Sequence, residues 1–471
     1  MPEMSDAAPS PAAPFLGTPT EEIRHFLTEH PGTKTVEAFI FDLCGLAMGK
    51  RYPVEDLAKL YEDGLQMCAA ACLLDVTGNS ADPLGHGFSD GDPDADAVAI
   101  PGTLAPVPWA RRPTAQVMLR LVRADEARTP VWFEPRETLR RVTADFQEAL
   151  GLTPVVAVEL EFFLTDLARE EEGGGPIPPT STVTGRPHRA NQVYGMLKLE
   201  EFDPILAAIE DACAAQGVPA TAASAEYAPG QFELNLRHVA DPVLAADHAC
   251  LLRRIVKSVA RKMGYDATFM SKPYPKQSGS GLHIHLSLAD GGGINRFDET
   301  VDPEETALRQ AVAGLQATMG EAMALFAPNV NAYRRFAPDQ FVPVTTDWGY
   351  DNRSVAFRVP SGRGAARRIE HRVAGADANP YLVMAAVLAG VRHGIENGLT
   401  PSSEAATGNA GAEMDEGLPF RLWRALDALE GADILPRYMG GDFLKAYHAV
   451  KAAEFEDFMS EPSPREYDWY L

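Results

Sequence analysis

VVAVELEFFL (residues 155–164) is a short apolar segment that contains two acidic residues. Because side chains alternate along a β-strand, Glu159 and Glu161 are predicted to lie on the same face. Two carboxylates on a half-buried face repel each other, and burying either one without a partner costs free energy. The segment therefore predicts a strand whose acidic face needs cations in front of it.

Three other stretches place charged or imidazole groups on segments that read as partly buried strands. They are AEYAPGQFELNL (225–236), with Glu226 and Glu233 on either side of a Pro-Gly turn, SGSGLHIHLSL (278–288), and RRIEHR (367–372). Any single glutamate of this set could lie on a solvated surface or pair with an arginine. Four such stretches in one chain favour a shared site, and carboxylates with few imidazoles suit Mg²⁺ or Mn²⁺.

Arginines are concentrated near these carboxylates in an otherwise acidic chain. They are Arg334, Arg335, Arg353, Arg358, Arg363, Arg367, Arg368 and Arg372. One or two of them are expected to form ordinary surface ion pairs, but guanidinium groups also suit phosphate and carboxylate ligands. Hard metals together with arginines are typical of phosphoryl transfer from a nucleotide. The sequence has no Walker loop, so the nucleotide is predicted to be held by the sheet and the arginines.

The composition limits the class of protein. The chain has 471 residues, of which 45% are hydrophobic and 23% charged, as in an ordinary globular protein. Its formal net charge of −24 argues against nucleic acids and anionic membranes as partners. Five scattered cysteines are typical of reduced thiols, so we expect a cytoplasmic protein.

The organisation along the chain predicts two domains of unequal size. Residues 1–20 are rich in Pro and Ala without a basic start, which predicts a disordered tail rather than a signal peptide. The pattern breaks at RADEARTPVWFEPR, which divides a smaller domain (21–127) from a larger one (128–471). The longest apolar stretch, PYLVMAAVLAGV, is too short to span a bilayer and predicts a buried helix. Strands and helices follow each other without regular alternation, which favours an α+β fold.

On these stretches the sequence resembles the glutamine synthetase family. The resemblance covers nearly the whole chain after about residue 30, and its motifs are specific in order and spacing. It implies a small N-terminal β-grasp domain, followed by a large catalytic domain built on an antiparallel sheet. It also implies a homo-oligomer with active sites between neighbouring subunits, usually a dodecamer of two hexameric rings.

The resemblance assigns metal ligands and substrate contacts to individual positions. For the metal nearer the glutamate it implies Glu161, Glu226 and Glu233. For the metal at the ATP phosphates it implies Glu159, His283 and Glu370. For the glutamate it implies Gly279 at the amino end and two arginines at the carboxylates, Arg335 and Arg372. For ATP it implies Arg353 and Arg358 at the phosphates and further contacts from His285, Ser287 and Arg368.

The implied reaction has two steps, with two or more Mg²⁺ or Mn²⁺ ions in each active site and ATP as co-substrate. The γ-carboxylate of glutamate attacks the γ-phosphate of ATP and gives γ-glutamyl phosphate. A nitrogen nucleophile then displaces phosphate and forms an amide. Arg353 and Glu370 are the predicted catalytic residues, because metals and arginines carry the developing charge.

Two departures from the family pattern concern the nitrogen substrate. The family's DGSS stretch, whose Asp helps to bind ammonium, is replaced by DGLQMCAAACLLDVTG, and Asp75 within it cannot be assigned that role. The position of the flap Glu that closes the ammonium site falls on Phe341 in PDQFVP. Tyr194 is expected near the amine pocket. A small cation site is thereby replaced by a pocket more suited to an alkyl chain.

LLDVTG, AEYAPGQFELNL and ATFMSKPYPKQSGSGLHIHLSL are most similar to the γ-glutamyl-polyamine synthetase branch of the family. We therefore expect an ATP-dependent ligase that joins glutamate to putrescine or another polyamine. Ethanolamine, another short monoamine or ammonium remain as alternative substrates. A metal-dependent amidohydrolase and a non-catalytic structural relative remain as alternative classes.

Overall fold

The computed structural model describes residues 17–170 and 174–471. The strands are β1 (Thr35–Phe41), β2 (Ala47–Pro53), β3 (Leu65–Cys68), β4 (Asp94–Ala99), β5 (Ala105–Pro106), β6 (Thr114–Arg123), β7 (Thr153–Asp166), β8 (Ala220–Ala225), β9 (Gln231–Leu236), β10 (Tyr265–Thr268), β11 (Leu282–Ala289), β12 (Trp348–Tyr350), β13 (Phe357–Val359) and β14 (Ile369–His371). The α-helices are α1 (Pro19–Glu29), α2 (Leu57–Glu62), α3 (Pro135–Leu150), α4 (Met196–Ala215), α5 (Pro242–Lys262), α6 (Thr306–Phe326), α7 (Pro380–Glu396), α8 (Leu422–Glu430), α9 (Leu435–Met439), α10 (Gly441–Ser460) and α11 (Pro464–Tyr470).

The first six strands form one sheet, which we call the N-terminal sheet. Its order is β2-β1-β6-β4-β3, with β5 paired to β6, and β1 lies parallel to β6 while the other pairs are antiparallel. The predicted hairpin is the β1–β2 pair. The assignment of residues 21–127 to a β-grasp domain stays a prediction.

The remaining strands form the central sheet, in the order β12-β13-β14-β11-β7-β9-β8 with β10 paired to β7. Every pair in it is antiparallel except β12 with β13. The predicted α+β fold with an antiparallel catalytic sheet is confirmed. β7, which carries the opening sequence, lies between β11 and β9 and is therefore flanked by two of the other acidic or histidine-containing stretches.

The alternation along β7 gives this strand one apolar face and one acidic face. Val156, Val158, Leu160 and Phe162 are fully buried, whereas Glu159 and Glu161 point to the opposite face. The apolar face is covered by helices, among them α5, which packs against β7. Burial of four large apolar side chains stabilises the strand by several kcal/mol, on the order of 2 kcal/mol each. This leaves the acidic face free to form a site.

Helices α6 and α7 pack closely in the helical layer of the larger domain. A Cβ added to Gly314 of α6 would lie 2.0 Å from the Gly390 carbonyl oxygen of α7. The two backbones therefore approach too closely for any side chain at this position. The stretch predicted as a buried helix is α7, and its side chains from Pro380 to Val391 are buried.

The N-terminal boundary of the fold differs slightly from the prediction. Residues 1–16 of the predicted tail lie outside the described residues, but α1 begins at Pro19 with Thr18 as its N-cap. The capping box formed by Thr18 and Glu21 starts this helix within the last residues of the predicted tail. The five cysteines are unpaired, in agreement with the sequence. Among the described helices, none has the length and apolar character needed to cross a bilayer.

Candidate active site

Strand register brings the four acidic or histidine-containing stretches together on one face of the central sheet. His283 of β11 lies directly opposite Glu159 of β7, and Glu233 of β9 lies opposite Glu161. On the other side of β11, Glu370 of β14 lies opposite His285. Residues that face each other across neighbouring strands have adjacent side chains. The predicted convergence of these stretches is therefore present in the structure.

Glu159 is shared by two groups of side chains that have the geometry to hold a metal ion. The first group is Glu159, His285 and Glu370, and the second is Glu159, Glu233 and His283; within each, the ligand atoms lie within 4.8 Å of one another. The grouping differs from the predicted one, in which Glu233 joins Glu161 and Glu226. The latter two line the same cavity without belonging to either group.

The hydrogen bonds of His285 argue against its use as a metal ligand. Arg368 Nε donates to His285 Nδ1 at 3.0 Å, so this nitrogen presents its lone pair to the arginine. A neutral ring then carries its proton on Nε2, which lies 2.8 Å from Glu159 Oε1. His283 is in a different state: burial and the nearby Arg372 lower its pKa, which favours the neutral imidazole that metals bind.

The chemistry of the donor set fits divalent cations. Burial, followed by the charges of Glu159 and Glu161, raises the pKa of Glu233 to about 9. Burial and the charge of Glu226 raise the pKa of Glu161 to about 7. The protein places too little positive charge near these carboxylates to favour their ionised form at neutral pH. A bound divalent ion would supply the missing positive charge.

Glu370 is in the opposite situation. Although burial alone would raise its pKa, neighbouring positive charges, first among them the Arg372 guanidinium, lower it to about 2. Arg372 donates a hydrogen bond to Glu370 Oε1, and Arg358 Nη1 donates to Oε2 at 2.8 Å. The carboxylate is therefore ionised and held in a fixed orientation between two arginines.

The acidic face opens into a cavity of about 770 Å³, which we call the main cavity. Its lining contains every predicted site residue except one: Glu159, Glu161, Tyr194, Glu226, Glu233, Gly279, His283, His285, Arg335, Phe341, Arg353, Arg358, Arg368, Glu370 and Arg372. Ser287, the exception, lies half-buried on β11 beyond His285 and does not line the cavity.

One end of the main cavity is built around Gly279 and Arg335. A Cβ on Gly279 would lie 2.6 Å from the Ser271 carbonyl oxygen and 2.7 Å from Arg335 Cγ, so the close packing here requires glycine. Arg335 is buried and donates to the Val373 carbonyl oxygen at 2.8 Å. Burial lowers its pKa to about 10, which still leaves the guanidinium charged at neutral pH.

Gln231 is a site residue that the sequence reasoning missed. Its Nε2 donates to Glu161 Oε2 at 3.0 Å and to the Gly279 carbonyl oxygen at 2.9 Å, which ties β7 to the glycine loop. Gln231 lies two residues before Glu233 on β9, so both share a face. The spacing that linked Glu159 to Glu161 would have identified it.

The rim of the cavity carries aromatic side chains. Tyr194 and Phe341 line the cavity and are 58% and 77% exposed, and Tyr227 lies beside them in the lining. The Tyr194 hydroxyl accepts a hydrogen bond from Arg353 Nη1 at 2.8 Å. The two residues predicted near the amine pocket therefore form exposed aromatic surface next to a charged interior.

Carboxylates that fit divalent cations and arginines that line the same cavity are typical of a metal-dependent phosphoryl-transfer site. Residues 133–470 match the family model described as glutamine synthetase, catalytic domain. The chain therefore belongs to the glutamine synthetase family, and it is a ligase of that family. Enzymes of the family use glutamate, ATP, a nitrogen substrate and divalent metal ions.

Individual relatives resemble the chain over nearly its full length. It is 41% identical over 455 residues to γ-glutamylputrescine synthetase PuuA of Escherichia coli K12, covering 96% of this chain and 94% of that protein. It is 31% identical over 462 residues to γ-glutamylethanolamide synthetase GlnA4 of Streptomyces coelicolor, covering 97% and 95%. A solved structure of GmaS with ADP has a TM-score of 0.80 at 27% identity and covers 95% of this chain and 99% of its own. The predicted family and fold are confirmed.

Proposed function

We propose that the protein joins the γ-carboxylate of glutamate to putrescine or another polyamine, at the expense of ATP and through γ-glutamyl phosphate. The observation that carries this proposal is the composition of the main cavity. It keeps the carboxylates and arginines needed for phosphoryl transfer, and it presents Phe341 at the rim where an ammonium-binding acid is expected in the family. The similarity to a γ-glutamylputrescine synthetase supports the same substrate class.

The carboxylates on the sheet are the proposed metal ligands. The proposed sets remain Glu161, Glu226 and Glu233 for one ion and Glu159, His283 and Glu370 for the other. They differ from the two groups of ligand atoms that lie close together in the structure, because the hydrogen bond from Arg368 removes His285 as a ligand. Mg²⁺ or Mn²⁺ bound there would neutralise the phosphate oxygens and the carboxylates themselves. The raised pKa values of Glu161 and Glu233 support this assignment, because each marks negative charge that the protein does not balance.

The glutamate is proposed to lie at the end of the cavity formed by Gly279 and Arg335. Arg335 and Arg372 would hold its carboxylates, since a guanidinium forms paired hydrogen bonds with a carboxylate. The Gly279 loop and Gln231 would receive the amino end, where carbonyl and amide oxygens accept from an ammonium group. Fixing both ends leaves the γ-carboxylate directed towards the phosphate-binding side of the cavity.

The phosphate-binding side is proposed to comprise Arg353, Arg358 and Arg368, with His285 and Ser287 as further nucleotide contacts. A γ-carboxylate oxygen attacks the γ-phosphorus, and the bond to the bridging oxygen breaks with its electron pair leaving on ADP. Arg353 stabilises the negative charge that develops on the transferred group. Glu370 keeps Arg358 in place through the 2.8 Å hydrogen bond.

In the second step the amine nitrogen attacks the carbonyl carbon of γ-glutamyl phosphate. The C–N bond forms, the bond to the phosphate oxygen breaks with its electron pair leaving on phosphate, and the proton that the amine nitrogen loses passes to the released phosphate. Phe341 and Tyr194 at the rim would contact the carbon chain of the amine and exclude water from the reactive acyl phosphate. An alkyl chain gains free energy from this apolar contact, which ammonium cannot make.

Two further features of the proposal follow from the family. Ethanolamine is a second candidate substrate, supported by the similarity to γ-glutamylethanolamide synthetase.

A dodecamer of two hexameric rings is the proposed assembly. Mass photometry would test it, since the expected particle has twelve times the mass of the 50.9 kDa chain and any smaller uniform particle would contradict it.

The substrate is tested by phosphate release from ATP in the presence of glutamate and one nitrogen compound at a time. Ammonium, putrescine, spermidine, ethanolamine and methylamine are compared, and mass spectrometry identifies each product. Strong release with a polyamine and little with ammonium is expected. Efficient formation of glutamine from ammonium would overturn the proposal. Release of phosphate from ATP without formation of any amide would exclude a ligase.

A further inference from the structure

A second, smaller cavity adjoins the main cavity, and we call it the side pocket. It has a volume of about 370 Å³ and shares four lining residues with the main cavity: Asp339, Gln340, Phe341 and Arg353. The rest of its lining is Asn352, Ser354, Gly408 and Asn409. The two spaces therefore meet at the segment around Phe341, where the amine is proposed to enter.

The side pocket is preformed by a polar network between two loops. Asn352 Nδ2 donates to the Gly408 carbonyl oxygen at 2.8 Å, and Ser354 Oγ donates to Asn352 Oδ1 at 2.7 Å. The Ala410 amide donates in turn to Ser354 Oγ at 2.9 Å. Because the bonds from Asn352 to Gly408 and from Ala410 to Ser354 connect segments far apart in sequence, they fix the shape of the pocket before any ligand binds.

Asp339 is the notable charge at the junction. Six carboxylates line the two cavities among the described residues, and the proposed metal ligands account for all of them except Asp339. Asn409 Nδ2 donates to Asp339 Oδ1 at 2.9 Å, and the Asp339 amide donates to the Gly411 carbonyl oxygen at 2.9 Å. The carboxylate is thus held in place while Oδ2 accepts no hydrogen bond from the part of the chain that the structure describes.

The backbone conformation of Asp339 favours an Asp or Asn side chain at this position. Asp339 has a φ of 55°, in the left-handed region that glycine adopts most readily. Asp and Asn tolerate this conformation better than other side chains, so a carboxylate can be held here at small cost. Arg353 is also in the lining, but its Nη1 donates to the Tyr194 hydroxyl at 2.8 Å, and in the described part of the chain no ion pair joins it to Asp339. The negative charge at the junction is therefore available to a cationic ligand.

We propose that Asp339 binds the distal ammonium group of a diamine, with that end of the molecule in the side pocket. The other nitrogen then reaches the acyl phosphate in the main cavity, and the carbon chain passes Phe341. This inference rests on the proposed glutamate–polyamine ligase activity and names the residue that distinguishes a diamine from a monoamine. An ammonium donates up to three hydrogen bonds, and Asp339 with the nearby carbonyl oxygens supplies acceptors.

Three substrates of matched length test the proposal: putrescine, N-acetylputrescine and n-butylamine. The last two keep the chain but lack the distal charge. The variant Asp339→Asn keeps the left-handed backbone and an acceptor for Asn409, so the fold is preserved, and Asp339→Glu restores the charge. Glu413→Gln removes one exposed charge that lines neither cavity and is the matched control.

We expect Asp339→Asn to lower kcat/KM for putrescine about fivefold, as for an exposed ion pair, and to leave kcat/KM for n-butylamine and N-acetylputrescine unchanged. Asp339→Glu should recover part of the loss, and the KM values for ATP and glutamate should not move. An equal loss for all three amines, or no loss for putrescine, would overturn the inference while leaving the ligase activity established. A wild-type enzyme that makes no amide from any amine would overturn the proposed function, and this inference with it.

Discussion

Replacing Glu233 by glutamine should stabilise the metal-free protein and impair catalysis at the same time. The pKa of Glu233 is raised from 4.5 to about 9, first by burial and then by neighbouring carboxylates. A carboxyl group whose pKa is higher in the folded chain keeps its proton there while the unfolded chain loses it. Stability is therefore fully present below pH 4.5 and falls as the pH rises towards about 9.

The size of the destabilisation follows from the difference between the pKa values of Glu233 in the folded and unfolded chain. Each pH unit between the two pKa values lowers the free energy of unfolding by about 1.4 kcal/mol, so pH 7.5 costs at most roughly 4 kcal/mol. Part of the shift comes from the charges of Glu159, Glu161 and Glu226, whose own protonation and screening by solvent weaken the repulsion, so the expected cost falls to about 2 kcal/mol. Glutamine resembles the protonated acid in shape and does not ionise, so Glu233→Gln avoids this cost.

The assay is thermal unfolding at pH 5.0 and pH 7.5, in EDTA and in MnCl₂. In EDTA the variant should unfold at a higher temperature than the wild type at pH 7.5, with a smaller gap at pH 5.0. In MnCl₂ the order should reverse, because the ion binds the folded wild type more tightly. Glu413→Gln is the control for removal of a charge. A variant no more stable than the wild type in EDTA at pH 7.5, or a gap independent of pH, would refute the reasoning.

Three further substitutions test other parts of the account. Phe341→Glu should lower kcat/KM for putrescine at least tenfold, because it removes the apolar side chain that contacts the carbon chain of the amine. Phe341→Leu should retain most of the wild-type kcat/KM. Unchanged amine kinetics in Phe341→Glu would show that Phe341 does not contact the amine. Gln231→Leu should raise the KM for glutamate about tenfold through loss of its two hydrogen bonds, and an unchanged KM would remove Gln231 from the substrate site. Gly314→Ala should destabilise the protein by about 3 kcal/mol in thermal unfolding, because its Cβ would clash with α7, whereas Gly320→Ala on the same helix has open space; similar melting temperatures would contradict the packing.

The sequence predicted the acidic face of the sheet because its signal is local. Alternation along β7 separates Val158 and Leu160 from Glu159 and Glu161, and the same period of two places His283 and His285 together. Isolated glutamates would not predict a site, but four stretches with the same conflict between charge and burial do. The register that brings His283 opposite Glu159 is consistent with this reasoning.

What the sequence did not predict depends on contacts between distant segments. The side pocket needs the loop at Asn352 to meet the loop at Asn409, and no local pattern indicates that meeting. The sharing of Glu159 between two possible metal groups depends on distances between side chains of different strands. So does the hydrogen bond from Arg368, which His285 accepts. Periodicity gives the face on which a side chain lies and leaves its partners undetermined.

One competition experiment between putrescine and ammonium tests the identity of the amine substrate. Glutamate labelled with ¹⁸O in its γ-carboxylate is incubated with the enzyme, ATP, Mg²⁺ and equal concentrations of putrescine and ammonium. Mass spectrometry then measures the products and the released phosphate. The account predicts γ-glutamylputrescine in large excess over glutamine, with one ¹⁸O atom transferred to each phosphate. Glutamine as the main product, or phosphate without the label, would contradict it.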